Sequence, residues 1–414
     1  MAKIRLTRVG LWLVVVSTVL IGLFLFRDQR RLAKAEQLVE HGLWEYAQGE
    51  LGPYLWLHPN DDKANWLMAE ALVRGQKPVE QAVAHLRRIP EGSQFACAAR
   101  TKEGRLEFLV LSRPFRAEKL FRQAIELDVD ADEPHFMLWK LYEMTGRSDN
   151  AERFFWQVYE RTPKMERGMR LRDWYMSQFY PSTVTTELDR LIGVLAPNEL
   201  STTESKAERY LLYKHSETDG PVGYAAVANW LQEQGDPNSA LQVLEGAFPN
   251  LSDEDRRHPF LLASLVGALV DLGEYERAET EMKRWPEPRD GYDFWYWQGV
   301  LMDESQRKYN EALQAYSRAI QVWPGAVDWR IRTRMANCHA RLGDQKRAKV
   351  LRDEAKYLQE LMDESVHRRL RDSLGHLESP EKLQQVADFY VDVNRPKEAA
   401  CWNRYIRDLD ETTQ

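Results

Sequence analysis

The residues best suited to catalysis or metal binding are scattered along this chain rather than grouped. Its three cysteines, Cys97, Cys338 and Cys401, lie far apart and form no CxxC pair, which excludes the spacing of a zinc ribbon or a haem-attachment site. His367 and His376 fall on one predicted helix, but their spacing does not place both on one face. The sequence also lacks HExxH, GxSxG, Walker, Rossmann and EF-hand motifs. We therefore predict a protein without a catalytic site, a metal site or a cofactor.

Composition and charge favour recognition of other proteins. The chain has 414 residues, and its 57 Lys and Arg against 64 Asp and Glu give a net charge of −7. These charges are mixed along the sequence without a basic stripe, so nucleic acid is not a predicted partner, and no small-molecule substrate is evident. The hydrophobic content of 43% predicts a folded chain, which at this length needs two domains or one repeated array.

An apolar segment near the N-terminus predicts a membrane anchor. Val9–Phe26 contains no charged side chain, and as a helix it would span about 27 Å, close to the hydrocarbon thickness of a bilayer. Residues 1–8 form a short basic tail before it. The very short tail favours an uncleaved signal anchor in an inner (plasma) membrane, with the tail in the cytoplasm and the body on the extracytoplasmic side.

A cleaved signal peptide is the alternative interpretation of the same segment. Residues 33–35, Ala-Lys-Ala, have the A-x-A shape of a cleavage site. However, the apolar run is longer than a usual signal-peptide core, and Arg27, Arg30 and Arg31 separate it from that site. We therefore favour the anchor.

Small residues recur through the rest of the chain with a period near that of a two-helix unit. A glycine is followed five residues later by an alanine at several places, for example at Gly42 and Ala47. The glycine suits the left-handed conformation that ends a helix, and the alanine suits a close crossing of two helices. Each unit is therefore predicted to be an antiparallel helical hairpin. The alanines in this position are Ala47, Ala82, Ala117, Ala151, Ala240, Ala278, Ala312 and Ala348.

This pattern resembles the tetratricopeptide repeat family. The best-matching unit runs from Phe294 to Pro324, and the residues that follow the family's pattern in order are Trp295, Gly299, Ala312, Tyr316, Ala319 and Pro324. The resemblance covers most of residues 28–360. It implies an all-α fold, an α-solenoid of tetratricopeptide-like helical hairpins behind one N-terminal transmembrane helix. Because such hairpins bury their apolar faces only against neighbours, we expect an elongated shape.

The units fall into blocks of different regularity. Residues 28–165 form a first block of hairpins and residues 221–360 form a second block. Residues 166–220 between them are predicted to be an irregular helical joint. Residues 361–414 are predicted to hold a C-terminal helix and a capping hairpin, and Val350–Leu377 is predicted to be one long polar helix.

The resemblance also implies where partners bind. In this family the first helix of each hairpin lines a groove that holds an extended peptide or a partner helix. Carried over to this sequence, the groove residues are Phe136, Lys140, Asn229, Tyr296, Arg330, Arg334 and Asn337. The last three resemble part of a clamp for a peptide C-terminus. That clamp is incomplete, because Gly267 and Trp297 stand where it needs polar residues.

We therefore expect a membrane-tethered scaffold or chaperone-like adaptor that binds other proteins and is held to the membrane through residues 9–26. The alternative is a substrate-positioning or structural subunit of a larger membrane-associated enzyme complex. We expect no enzyme domain in the chain itself, because too few residues follow Leu361 to form one.

Overall fold

The computed structural model describes residues 29–179 and 206–413, and every regular element within those two ranges is helical. None of the helices there is long and apolar enough to cross a membrane, and Val9–Phe26 lies outside the described residues. In chain order the helices are α1 (29–40), α2 (Trp44–Leu57), α3 (Asp62–Arg74), α4 (Val79–Arg87), α5 (Ala96–Leu109), α6 (Pro114–Leu127), α7 (Asp132–Met144), α8 (Ser148–Arg161), α9 (Arg167–Phe179), α10 (Lys206–Ser216), α11 (Pro221–Glu233), α12 (Pro237–Ala247), α13 (Pro259–Asp271), α14 (Tyr275–Met282), α15 (Tyr292–Val300), α16 (Tyr309–Ala319), α17 (Trp329–Arg341), α18 (Gln345–Leu361), α19 (Glu364–Leu374), α20 (Pro380–Asp392) and α21 (Pro396–Thr413).

The turns inside the hairpins have the left-handed backbone that the glycines predict. Within the hairpins, the chain reverses direction directly after each glycine that has a positive φ. After Gly146, for example, the Arg147 N–H donates to the Tyr142 carbonyl at 2.9 Å. Ser112 and Arg307 adopt the same conformation, with φ of 55° and 54°, five residues before Ala117 and Ala312. The hairpin therefore forms even where the glycine is missing. The glycines with φ between 72° and 88° are Gly42, Gly146, Gly235, Gly273 and Gly343.

The predicted alanines lie where the two helices of a hairpin cross. All eight are at most 2% exposed, and large side chains one turn later fill the space beside them. A second small residue on the first helix makes room in the same way, because a Cβ on Gly299 would lie 2.6 Å from the buried Tyr316 ring. Gly104 and Phe121 repeat this arrangement at 2.6 Å in the first block. Close packing of small against large residues thus sets the distance between helices.

The long polar helix predicted at Val350–Leu377 is wrong. The chain forms α18 and α19 instead, with a break at Met362 and Asp363. The Asp363 carboxylate accepts a hydrogen bond from the Ser365 N–H at 2.9 Å and so caps the start of α19. An aspartate within a polar stretch can either cap the start of a new helix or lie inside a continuous one. The sequence pattern alone does not distinguish these two cases.

The solenoid returns on itself, so the expectation that each hairpin packs only against its neighbours is wrong. Helix α9 packs against α21, and the Tyr390 hydroxyl donates to Gln178 Oε1 at 2.6 Å. The indoles of Trp174 and Trp323 meet with ring centroids 6.4 Å apart. Arg395 of the C-terminal hairpin forms an ion pair with Glu152 of α8. The last hairpin therefore docks on α8 and α9.

A second link ties the middle of the chain to the first block. Glu217, directly after α10, accepts hydrogen bonds from the Phe115 and Arg116 N–H groups, each at 2.8 Å. Those groups are the unpaired donors at the start of α6, which a carboxylate satisfies well. The residues before α11 are thus held against α6. The division of the chain into two blocks with a joint at 166–220 stays a prediction.

Candidate protein-binding groove

The first helices of consecutive hairpins in the second half of the chain pack side by side. They are α11, α13, α15 and α17, and we call them the first-helix row. Gln232 Nε2 of α11 donates to the Ser264 carbonyl of α13 at 3.1 Å. Gly267 lets α15 approach α13, because a Cβ there would lie 2.8 Å from the Trp297 indole. Helices α11, α13 and α15 therefore approach one another closely, and side chains join α15 to α17.

Three aromatic side chains project from α15 at the centre of the row. The Tyr292 and Tyr296 rings are stacked, with centroids 5.7 Å apart and an interplanar angle of 14°. Tyr296 meets the Trp297 indole edge to face at 4.7 Å. The Tyr292 hydroxyl donates to Asp328 Oδ2 at 2.8 Å, which connects α15 to the start of α17. All three aromatic residues keep some exposed surface. Such rings offer a rigid, amphipathic contact area.

Two arginines of α17 border these aromatics. Arg330 Nε donates to Asp328 Oδ1 at 3.0 Å while the side chain stays 67% exposed. Arg334 Nη1 donates to Glu304 Oε1 at 3.0 Å, and Arg334 also hydrogen-bonds the Tyr296 hydroxyl. Both guanidiniums are thereby oriented, and the Arg330 side chain remains open to an incoming carboxylate or carbonyl group.

Carboxylates beside the two arginines keep both guanidiniums charged next to neutral phenols. Burial raises the pKa of the Tyr296 hydroxyl, with Arg334 opposing and Asp328 adding to that effect. Burial alone would lower the pKa of Arg330, but the Asp328 carboxylate holds that pKa above its usual value. At neutral pH the tyrosine is therefore a neutral hydrogen-bonding group beside two charged guanidiniums.

The structure brings four of the seven predicted groove residues together. Tyr296 on α15 lies beside Arg334 on α17, Arg330 lies one turn before Arg334, and Asn337 is exposed one turn after it. Asn229 lies on α11, at the other end of the first-helix row, and is half-buried.

Lys140 does not face an open groove, which corrects the assignment of that residue, whereas Phe136 lines a cavity of about 340 Å³ beside Arg161 and Arg170. Lys140 is 1% exposed, and its Nζ lies 2.8 Å from Glu143 Oε2. Helix α9 covers this face: the Arg170 guanidinium lies 5.1 Å from the Phe136 ring, and Ser177 hydrogen-bonds Glu143. The hairpin pattern identifies the first helix correctly, but it does not show that α9 folds over it.

A buried ionic cluster between α6, α7 and the residues before α13 was not predicted from the sequence. Arg147 Nη1 lies 2.5 Å from Glu118 Oε2, and the Tyr142 hydroxyl donates to Glu118 Oε1 at 2.7 Å. Burial alone would raise the pKa of Glu118, but Arg147, His258 and Arg122 together lower it to about 2. Cavities of about 590 and 310 Å³ share Glu118, Arg122 and His258 in their walls. The sequence carries no signal for this cluster, since charges at helical spacing look like a solvated face.

The histidines and cysteines are dispersed in the structure as well. Within residues 29–179 and 206–413, no three His, Cys, Asp or Glu side chains are grouped as a metal site would require. Cys338 and Cys401 are buried on helices and Cys97 is half-buried.

Comparison with known proteins identifies one repeat unit. Residues 293–326 match the family model described as Tetratricopeptide repeat. The matched segment contains the unit Phe294–Pro324 with α15 and α16, so Tyr296 lies on the first helix of the hairpin that is similar to a tetratricopeptide repeat.

Solved structures of helical-repeat proteins are similar over most of the chain. One is the crystal structure of the APC/C hetero-tetramer Cut9–Hcn1, with 12% identity, coverage of 92% of this chain and 87% of that chain, and a TM-score of 0.37. Another is the TPR domain of P58(IPK), with 15% identity, coverage of 94% and 99%, and a TM-score of 0.26. No match is found among curated protein sequences. The overlays are too loose to transfer any site to this chain.

Proposed function

We propose that this protein is a membrane-tethered scaffold that binds other proteins through the first-helix row of its second block. The observation that carries the proposal is the surface formed by Tyr292, Tyr296, Arg330 and Arg334, where stacked phenols lie beside two oriented guanidiniums. Tyrosine and arginine are the side chains that contribute most to protein interfaces. The similarity of residues 293–326 to a tetratricopeptide repeat supports a role in protein binding.

The chemistry of the surface favours a particular kind of partner segment. Arg330 is mostly exposed, so its guanidinium can bind a carboxylate of the partner by two parallel hydrogen bonds. The tyrosine faces can accommodate an apolar or aromatic side chain next to that carboxylate. The preferred ligand is therefore an extended peptide or a partner helix that places an acidic residue next to an apolar one.

The membrane tether is part of the proposal and rests on the sequence of residues 9–26. If the segment is an uncleaved anchor, the mature protein retains Met1 or Ala2 and sediments with membranes. A compartment-sensitive reporter fused after Gln414 should then report the extracytoplasmic side. An N-terminus near Glu36 would show instead that the segment is cleaved.

Binding by the first-helix row is tested with two matched arginine variants of the full-length chain. Arg330→Ala removes the exposed guanidinium of the row, whereas Arg352→Ala removes an exposed guanidinium on α18, a second helix. Proteins captured from solubilised membranes by each variant are quantified by mass spectrometry. We expect at least one captured protein to be lost about tenfold with Arg330→Ala and retained with Arg352→Ala, since charged interfacial hydrogen bonds contribute about 1.5–3 kcal/mol. Equal recovery of every protein by both variants would contradict the proposed site.

A further inference from the structure

The end of the first hairpin carries a large apolar side chain that the described residues leave mostly exposed. Trp56, near the end of α2, is 82% exposed, and Leu57 beside it is 37% exposed. Trp56 is the most exposed large hydrophobic residue in the described part of the chain. A tryptophan offers about 150–250 Å² of surface for burial, so this position is well suited to bind something.

The geometry of the hairpin places Trp56 beside the N-terminal end of α1. Helices α1 and α2 run antiparallel on either side of the Gly42 turn, and Lys34 Nζ pairs with Glu50 Oε1 at 2.6 Å. Trp56 lies six residues beyond Glu50, and a helix rises about 1.5 Å per residue, so Trp56 is about 9 Å further towards that end. On α1, Lys34 lies five residues after the start of the helix at residue 29. Trp56 and the start of α1 are therefore at the same end of the hairpin.

The apolar segment ends very close to this point. Phe26 is three residues before residue 29, the first that the structure describes. Three residues span at most about 11 Å even when fully extended. A bilayer that holds the end of the apolar segment would therefore lie within reach of Trp56 and Leu57.

The local chemistry suits the headgroup region of a lipid bilayer. Tryptophan is enriched at membrane interfaces because its ring is apolar while its N–H needs a polar partner. Arg31 near the start of α1 supplies a cation for a lipid phosphate. The nearby Asp61 is already engaged, since it accepts hydrogen bonds from the Ala64 N–H at 2.8 Å and the Tyr54 hydroxyl at 3.0 Å.

We propose that Trp56 inserts into the bilayer interface and seats the first hairpin directly on the lipid surface. This inference rests on the membrane anchor of the proposed function and adds a second contact to it. The anchor alone would leave the solenoid free to swing on its connection. A second point of contact fixes the orientation of the first hairpin relative to the membrane.

The test compares two positions on the same helix in the full-length protein. Tyr46 is also exposed, at 70%, but it lies ten residues earlier on α2 and thus about 15 Å further from the anchor. Trp56→Cys and Tyr46→Cys are made in a Cys97→Ser background, and each is labelled with the environment-sensitive fluorophore NBD. The parent with only Cys97→Ser reports any labelling of the buried Cys338 and Cys401. Circular dichroism confirms that the variants keep the helical content of the wild type.

The labelled proteins are reconstituted into vesicles of phosphatidylcholine and phosphatidylglycerol. Some of the phosphatidylcholine carries a doxyl quencher just below the headgroup. We expect the fluorophore at position 56 to be quenched severalfold more strongly than the one at position 46. If the protein floats with the vesicles but both positions are quenched equally, the inference is wrong.

Two further outcomes distinguish an error in the Trp56 contact from an error in the membrane anchor. A blue-shifted but unquenched fluorophore at position 56 would show that a second protein copy covers the tryptophan, and this too overturns the inference. Failure of the protein to float with the vesicles would overturn the anchor itself and the seating of Trp56 with it.

Discussion

Removal of Arg395 should open the closed solenoid. Its guanidinium lies between Glu398 of the same hairpin and Glu152 of α8, and Nε donates to Glu398 Oε1 at 2.8 Å. The side chains of Arg395 and Glu398 are only 7% and 1% exposed. In Arg395→Met both carboxylates lose their cation. Breaking a buried pair in this way costs about 3–5 kcal/mol, because an uncompensated charge stays buried.

We expect Arg395→Met to lower the free energy of unfolding by about 3 kcal/mol, near the lower end of that range. Glu152 keeps a hydrogen bond from the Trp323 N–H at 3.0 Å, and Glu398 keeps one from Trp174 Nε1 at 3.4 Å. The double variant Arg395→Met with Glu398→Gln should recover part of the loss, since it removes one of the stranded charges. Arg352→Met, on an exposed face, should change the free energy of unfolding by less than about 0.5 kcal/mol.

The assay is urea unfolding followed by circular dichroism, together with limited proteolysis. Arg395→Met should unfold at lower urea, and protease should cut the C-terminal hairpin earlier than in the wild type. Equal urea midpoints for Arg395→Met and Arg352→Met would refute the conclusion that this ion pair holds the C-terminal hairpin against the first block.

Two further predictions concern packing and pH. Gly299→Ala should lower the free energy of unfolding by about 1–2 kcal/mol, because the added Cβ would lie 2.6 Å from the Tyr316 ring and the overpacking outweighs the helix preference of alanine. Gly49 has open space where a Cβ would lie, so Gly49→Ala should raise the free energy of unfolding by about 0.5–1 kcal/mol. Urea unfolding of both variants measures the difference. Burial and the neighbouring Asp149 raise the pKa of Asp293 to about 7, so the folded state binds more protons than the unfolded state and stability falls as pH rises through that value. Asp293→Asn should therefore lose less thermal stability than wild type between about pH 5 and about pH 8, and an equal loss in both would show that Asp293 does not titrate in this range.

The sequence was informative where local packing decides the structure. The hairpin turns follow from glycine, because its left-handed conformation costs little, and the helix crossings follow from alanines that must be small. Ser112 and Arg307 show the limit of even this rule, since both adopt positive φ without being glycine. There the packing of the two helices imposes the turn on a residue that does not prefer it.

Contacts between distant parts of the chain were not predictable in the same way. The cover of α9 over Phe136 and Lys140 depends on how hairpins stack in space, and no spacing in the sequence reports that. Docking of the C-terminal hairpin depends likewise on long-range contacts, namely the Arg395–Glu152 ion pair, the hydrogen bond from Tyr390 to Gln178 and the contact of the Tyr175 and Phe389 rings. The candidate groove was predictable in the second block because α15 and α17 are the first helices of consecutive hairpins, which the repeat pattern places side by side.

Photo-crosslinking from the first-helix row tests protein binding most directly. Benzoylphenylalanine replaces Tyr296 in one full-length variant and Tyr357 in another. Tyr357 is a matched tyrosine, 46% exposed on the second helix α18. Irradiation of intact membranes should join a distinct partner protein to position 296 and not to position 357, and Arg330→Ala should weaken that adduct. An adduct at position 357 with none at position 296 would contradict the assignment of the first-helix row as the partner-binding surface.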